Sequence, residues 1–404
     1  MRRVLVVGAS VAGLTAAEEL RRKGFDGELW IVGDEPHLPY DRPPLSKQAM
    51  LGPWGIEQAR LRTRDELDSL DANWLLGRRA VALRTSAGVV QLDDGREIGW
   101  DGLVIATGVS SRPLPGMTEG DPRNVYPLRT IDDACRLRVA LASASRVVIV
   151  GGGLIGMEVA AAASVGGVEV VVVEALSVPL KRAVGAEVGE RVKQLHEQRG
   201  VELRLSLGVA ALEVQRGMAR SVVLTDGSVE QADAVVVAIG SVPNTDWLAE
   251  SGLYVADGVV CNEHCLAGPG VVAAGDVARV WQPALGRSVR FEHRTNAAEQ
   301  GAAAARSLLG ERTPFAPVPY FWTEQFDVRI RAYGLVHPAT TTRIVPDPAR
   351  DDRFTAEFFE DKDLVGGLTW NDAKGALAIR RRLASSPRWS TRSEARAESV
   401  GASQ

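Results

Sequence analysis

The sequence predicts an α/β chain in which one strand–turn–helix unit is used twice, followed by a smaller α+β domain. The first unit is an apolar run at Arg3–Val7, a turn at Gly8-Ala9-Ser10-Val11-Ala12-Gly13 and a helix with small residues on one side at 14–22. The same order returns at Arg146–Val150, Gly151-Gly152-Gly153-Leu154-Ile155-Gly156 and 157–165, followed by a strand at 169–173. A proline-rich stretch at 313–319 then marks a boundary, beyond which 320–383 reads as separate α+β structure.

Each unit continues in parallel. A polar meander carries a turn signal, Asp93-Asp94-Gly95 in the first and Thr225-Asp226-Gly227 in the second. Each closes on a buried-looking strand ending in glycine, Leu103-Val104-Ile105-Ala106-Thr107-Gly108 and then 234–237 with Ala238-Ile239-Gly240. A third such strand, Val271-Val272-Ala273-Ala274-Gly275-Asp276, and a helix over 296–309 complete the first domain, so that the second is inserted within it. The expected organisation is 1–112 with 243–315, then 113–242, then 316–383, with 384–404 a flexible tail rich in Ser, Ala, Arg and Glu.

The repeat is too long for a solenoid and has the form of a duplicated Rossmann-like dinucleotide-binding domain. Gly151, Gly153 and Gly156 stand at the GxGxxG positions, which serve a tight bend, a close approach of backbone to a pyrophosphate, and packing of helix on strand. The pyrophosphate meets the helix N-terminus, with Leu154 and Ile155 in its first turn. Glu174 ends the next strand, 23 residues after Gly151. It can accept from a ribose 2′-OH and would repel a 2′-phosphate, which points to NADH over NADPH, although Arg182 lies downstream. Ile239 and Gly240 close this second site. In the first turn Gly8 and Gly13 keep their places, Ser10 replaces the middle glycine, and its hydroxyl can donate to a phosphate oxygen. The acidic residue that meets the ribose there is Asp34 or Glu35.

Bulk composition narrows the function classes. The chain has 404 residues, of which 45% are hydrophobic and 24% charged, and a formal net charge of −4, the wrong sign for a nucleic-acid binder. No uninterrupted apolar stretch reaches the roughly 18–20 residues of a membrane span, so a cytoplasmic protein is expected. Three cysteines, Cys135, Cys261 and Cys265, make no disulfide framework, and the spacing of the last two argues against a redox or metal pair. No metal site is expected.

Together with Tyr40-Asp41-Arg42-Pro43-Pro44-Leu45-Ser46-Lys47, Thr295-Asn296-Ala297 and Phe321-Trp322, these motifs resemble the NADH-dependent ferredoxin reductases of bacterial oxygenase and cytochrome P450 systems. The resemblance spans about 3–383. It implies a glutathione-reductase-like arrangement with FAD in the first domain and NADH in the second. FAD contacts are then expected from the first turn (Gly8, Ser10, Val11, Ala12, Gly13), from Asp34, Glu35, Arg42 and Val81, from Ala106, Thr107 and Gly108, and from Arg129 and Asp276. The resemblance places Lys47 against the flavin ring, where a cation favours the negative charge that hydride addition brings. It also places Glu158 between nicotinamide and flavin, and Trp322 beside the flavin. Many relatives carry a tryptophan where this chain has Arg294, a residue that would tune the flavin or face the acceptor protein.

Hydride passes directly from nicotinamide C4 to flavin N5, so stacked rings replace an acid, a base or a nucleophile. Related disulfide reductases need a cysteine pair, and related NADH oxidases carry one cysteine in the segment that is 42–47 here; neither is present. The implied acceptor is an iron–sulfur ferredoxin, serving a cytochrome P450 or a ring-hydroxylating dioxygenase. Arg329 and Arg331, with Arg380-Arg381-Arg382, are expected to offer part of its docking surface. Alternative readings are an NADH oxidase or monodehydroascorbate-type reductase, and a non-catalytic NADH-sensing flavoprotein. A monomer or weak dimer is expected.

Overall fold

The computed structural model describes residues 1–52, 54–117, 122–336, 340–386 and 388–389. Its centre is two sheets built on the same parallel plan, the first with an antiparallel edge strand at 266–268. The first has the strand order 266–268, 271–273, 102–105, 3–7, 28–33, 72–76, and the second 202–205, 169–174, 146–150, 234–237, 125–127. The valine- and leucine-rich strands in the middle of both are buried on both faces, as parallel sheets require.

The repeat holds at the level of single bonds. Val7 lies between Val32 and Ile105 in parallel register, and Val150 between Val173 and Val237. Gly8 donates to the Val32 carbonyl and Gly151 to the Val173 carbonyl, each at 2.8 Å. The next strands answer from the other side, Ala106 donating to Val7 at 2.7 Å and Ala238 to Val150 at 2.8 Å.

These close approaches explain the outer glycines. A Cβ on Gly8 would collide with the Ala106 carbonyl, and one on Gly151 with that of Ala238; both residues also adopt positive φ, 120° and 106°. The helices start earlier than the 14 and 157 expected from sequence, at Val11–Arg22 and Leu154–Val165. Ser10 and Gly153 are the N-caps in extended conformation, so the second half of each glycine turn is already the first helical turn. The third glycine-ended strand is followed by the helix Arg294–Leu308, against an expected 296–309.

The strand Val271–Ala273 pairs in parallel with Gly102–Ile105, so the first sheet draws on chain from both sides of the second. The two connections run together as an antiparallel pair, Val109–Ser111 with Ser241–Pro243.

The last domain is a five-stranded antiparallel sheet in the order 320–325, 328–334, 363–370, 350–360, 341–347, with the helix Ala373–Ala384 on one face. Side chains alternate across it. Ile330, Ala332, Phe354, Phe358 and Leu368 face the second dinucleotide fold, joining one core with Met157, Val188 and Val192. Ile379 and Leu383 of the helix cover the other face with Tyr333 and Leu335. Of the expected flexible tail 384–404, residues 384–386 and 388–389 are described and are instead held in place: Ala384 ends the helix, Arg388 pairs with Glu360, and Trp389 is buried against Ile379 and Leu383, while the rest lies outside the described residues.

Candidate functional site

Two adjoining clefts run along the first glycine turn. One is lined by Gly8, Ser10, Asp34, Glu35, Arg42, Val81, Ala106, Thr107, Gly108 and Arg129. The other shares Ser10, Arg42, Ala106, Gly108 and Arg129, and adds Val11, Ala12, Lys47, Asp276, Arg294 and Trp322. Leu154, Ile155 and Glu158 enter this second cleft from the other dinucleotide fold. Every residue expected from sequence to meet FAD therefore lines one of the clefts, except Gly13. That residue sits beneath the turn, where a Cβ would strike the Gly8 carbonyl.

The clefts carry a chain of charges. Arg42 donates to the Glu35 carboxylate and to the Arg129 carbonyl, both at 2.6 Å, while the Tyr40 hydroxyl donates to Glu35. Arg129 pairs with Asp276 at 2.8 Å, and Arg294 with Asp41 at 3.0 Å. Asp34 pairs with Arg79 at 3.0 Å on the exposed rim. The two candidate acidic residues thus differ: Glu35 is committed inward to Tyr40 and Arg42, Asp34 outward.

At the junction of the two folds Lys47 Nζ lies 2.7 Å from Glu158 Oε2, with both side chains largely buried. Glu158, the fifth residue of Leu154–Val165, lies just past its first turn and faces inward, because that helix is apolar and buried along most of its surface. Ser46 donates to Oε2 and Thr323 to Oε1, the latter at 2.6 Å. Beyond Thr323 stand Gln325 and His196. His293 stacks on Phe291 and lies against Phe321 at the wall of the same cleft, and burial pushes its imidazole down to about 4.

At the second turn both oxygens of Glu174 accept from backbone, from Gly152 at 2.6 Å and Leu176 at 2.7 Å. This holds the carboxylate beside the glycine turn, at the end of the neighbouring strand. Ile239 and Gly240 follow the strand Ala234–Val237 on the other side of the turn. Arg182 lies exposed on the helix Lys181–Glu197 and lines neither cleft.

A dinucleotide with a ring system fits these residues. Arg42 Nε, Arg129 Nε and His293 Nδ1 are buried at the cleft walls with no partner among the described residues, and the second turn leaves open space over Gly153, where a Cβ would meet no heavy atom within 4 Å. None of the three cysteines lines either cleft. Cys135 is exposed, and burial holds the Cys261 thiol up at about 12. Among the described residues no group of three or more His, Cys, Asp or Glu side chains could hold a metal ion, and no helix is long and apolar enough to cross a membrane.

Asp41, Ser46, His293, Thr323, Gln325 and His196 were not singled out from sequence. Asp41, Ser46, His293 and Thr323 carried a usable signal, each being adjacent to a residue that was, Arg42, Lys47, Arg294 and Trp322, whereas Gln325 and His196 carried none.

Two dinucleotide-binding folds facing a shared cleft define the class of protein. Residues 2–301 match the family model described as pyridine nucleotide-disulphide oxidoreductase, and 320–399 the one described as reductase C-terminal. The chain belongs to the pyridine nucleotide-disulphide oxidoreductase family. It is 37% identical over 383 residues to rhodocoxin reductase of Rhodococcus erythropolis, covering 94% of this chain and 89% of that protein. It is 36% identical to the ferredoxin–NAD(+) reductase component of the p-cumate 2,3-dioxygenase system of Pseudomonas putida, covering 94% and 92%. The reductase in the covalent putidaredoxin reductase–putidaredoxin complex superposes with a TM-score of 0.90 at 31% identity, over 95% of this chain and 93% of that one. A water-forming NADH oxidase from Lactobacillus brevis, 19% identical with a TM-score of 0.85, shares the fold.

Proposed function

We propose that this protein is an FAD-dependent oxidoreductase that accepts hydride from NADH and passes electrons singly to an iron–sulfur ferredoxin, which supplies a cytochrome P450 or ring-hydroxylating dioxygenase. The observation that carries the reading is the Lys47–Glu158 pair, which joins the cleft of the first glycine turn to the helix that opens from the second. When bound, the flavin supplies the two-electron to one-electron conversion. The chain supplies position and charge. The first turn and Arg129 hold the FAD pyrophosphate and ribityl side with Asp276, Asp34 or Glu35 meets the adenosine ribose, and Lys47 favours negative charge on the ring. Gly151, Gly153, Gly156 and Glu174 hold NADH, with Leu154, Ile155, Ile239 and Gly240 around it, and Glu158 stands where the nicotinamide meets the flavin.

The absence of cysteine from the clefts favours an external one-electron acceptor over an internal disulfide. Arg331 stands across the strand pair from Trp322, on the same face as Arg329, and Arg380, Arg381 and Arg382 are exposed on the neighbouring helix. Arg329 is paired with Glu324 and Arg382 with Glu357, so the excess positive charge of the patch rests on the rest. We assign this patch to the docking of an acidic ferredoxin. Of the domain boundaries we propose, 242/243 falls within the connection 241–243 and 112/113 lies just past its partner 109–111.

NADH oxidation by the FAD-loaded protein, followed with and without ferredoxin, tests the proposal. Strong stimulation by ferredoxin is expected, weakened by added salt, while ferricyanide reduction is salt-insensitive. Rapid oxidation with oxygen alone would instead indicate an oxidase, and a bound flavin that NADH does not reduce would indicate a sensor.

A further inference from the structure

Behind the Lys47–Glu158 pair a line of hydrogen bonds leads away from the cleft, into the contact between the second dinucleotide fold and the C-terminal sheet. Thr323 Oγ1 lies 2.6 Å from Glu158 Oε1, Gln325 Nε2 lies 3.2 Å from Thr323 Oγ1, and His196 Nε2 lies 2.9 Å from Gln325 Oε1. Thr323 and His196 are 0% exposed and Gln325 1%, so no solvent competes for these bonds.

The line has one direction. A carboxylate only accepts, so Thr323 gives its single hydroxyl proton to Glu158. The hydroxyl oxygen can then only accept, which turns the Gln325 amide nitrogen toward it and the amide oxygen toward His196. His196 must therefore donate through Nε2, leaving Nδ1 as an acceptor without a partner among the described residues. Oε1 of Glu158 is held by this line, while Oε2 takes Ser46 and Lys47.

Three buried polar side chains are not needed to fill this contact, since apolar groups of the same shape would pack there without desolvation cost. What the line achieves that an apolar contact would not is orientation of one carboxylate. Two of the three residues come from the domain that contains neither glycine turn, because period-2 alternation along Tyr320–Gln325 sends Thr323 and Gln325 toward the second dinucleotide fold, where His196 meets them, and Trp322 to the opposite face.

We propose that Thr323, Gln325 and His196 are positioning residues that fix the Glu158 carboxylate and, through it, the placement of the Lys47 ammonium in the cleft. This rests on the reading that the cleft takes FAD and NADH. With Oε1 bound, the carboxylate cannot rotate to neutralise Lys47 more fully. The lysine then keeps its field directed at the cleft.

The test uses the FAD-loaded full chain and Thr323→Val, which keeps the shape of the side chain and removes the donor. Flavin content and Tm report folding, an equilibrium titration reports the flavin midpoint potential, and single-turnover mixing reports reduction by NADH. With flavin content retained, the rate constant at saturating NADH should fall about tenfold, the scale of one hydrogen bond to a charged group. The NADH concentration for half-saturation should be unchanged, and the midpoint potential should move to a more negative value. Thr323→Ser should restore both rate and potential. If Thr323→Val loses flavin, Gln325→Leu, one bond further out, carries the same comparison. Wild-type potential and rate in the donor-less variant, or a Thr323→Ser variant as impaired as Thr323→Val, would overturn the positioning role. Failure of the wild-type protein to bind FAD or to be reduced by NADH would instead remove the reading beneath it.

Discussion

Gly153→Ala separates the binding role of the second turn from its folding role. Gly153 has an ordinary φ of −77°, and a Cβ added there would meet no heavy atom within 4 Å. The added methyl therefore costs the fold at most about 1 kcal/mol, because alanine is a poorer N-cap than glycine, and the smaller entropy of the unfolded chain offsets part of that. The same open space is where the turn is proposed to admit a pyrophosphate. Holding the phosphates off the backbone by one methyl loses a charge-assisted hydrogen bond of roughly 1.5–3 kcal/mol, or on the order of 10- to 150-fold in Kd. NAD+ titration calorimetry and NADH-dependent flavin reduction would measure this, with Tm and flavin content as controls. Both controls should match wild type. The neighbouring Gly151→Ala should behave oppositely and compromise folding, because its Cβ would overlap the Ala238 carbonyl at a φ of 106°. An unchanged Kd in Gly153→Ala would refute the reasoning. It would show that the second turn accepts a Cβ at this position as the first turn does at Ser10.

Lys47→Ala should reduce the rate of flavin reduction by one to two orders of magnitude and lower Tm, since Glu158 would keep its burial and lose its cation. Adding Glu158→Gln should recover Tm without recovering the rate, and recovery of both would remove Lys47 from the site. Glu174→Ala should lower the NADH-over-NADPH ratio of kcat/KM by about tenfold, and an unaltered ratio would assign the carboxylate to its backbone bonds at Gly152 and Leu176 alone. Burial holds His196 at about 4, below its usual 6.5. The unfolded chain thus takes up a proton as pH falls through 6.5 while the folded chain does not until about 4, so stability declines across that window by roughly 3 kcal/mol. Urea melts at neutral and acid pH should show a shallower decline for His196→Gln, and identical slopes would mean that other groups set the acid limit.

Local backbone constraints made the two dinucleotide folds legible in the sequence alone. A glycine where the turn passes against the neighbouring strand, a second where helix meets turn, and an apolar strand before each are consequences of sterics within a few residues. They recur at 8, 13, 151 and 156 wherever the rest of the chain goes. Composition likewise separated the chain from nucleic-acid binders, and the motif at 40–47 carried the family resemblance. Tertiary packing decided what surrounds Glu158. Ser46 lies 112 positions away and Thr323 165 positions away, while Gln325 and His196 meet across 129. No period or spacing links such residues, because they converge only when the antiparallel sheet of the last domain closes its apolar face over the second dinucleotide fold. Tertiary structure also turned Glu35 inward to Arg42 and left Asp34 on the rim, a choice between two adjacent carboxylates that depends on Arg42 being anchored at the Arg129 carbonyl, 87 positions along the chain.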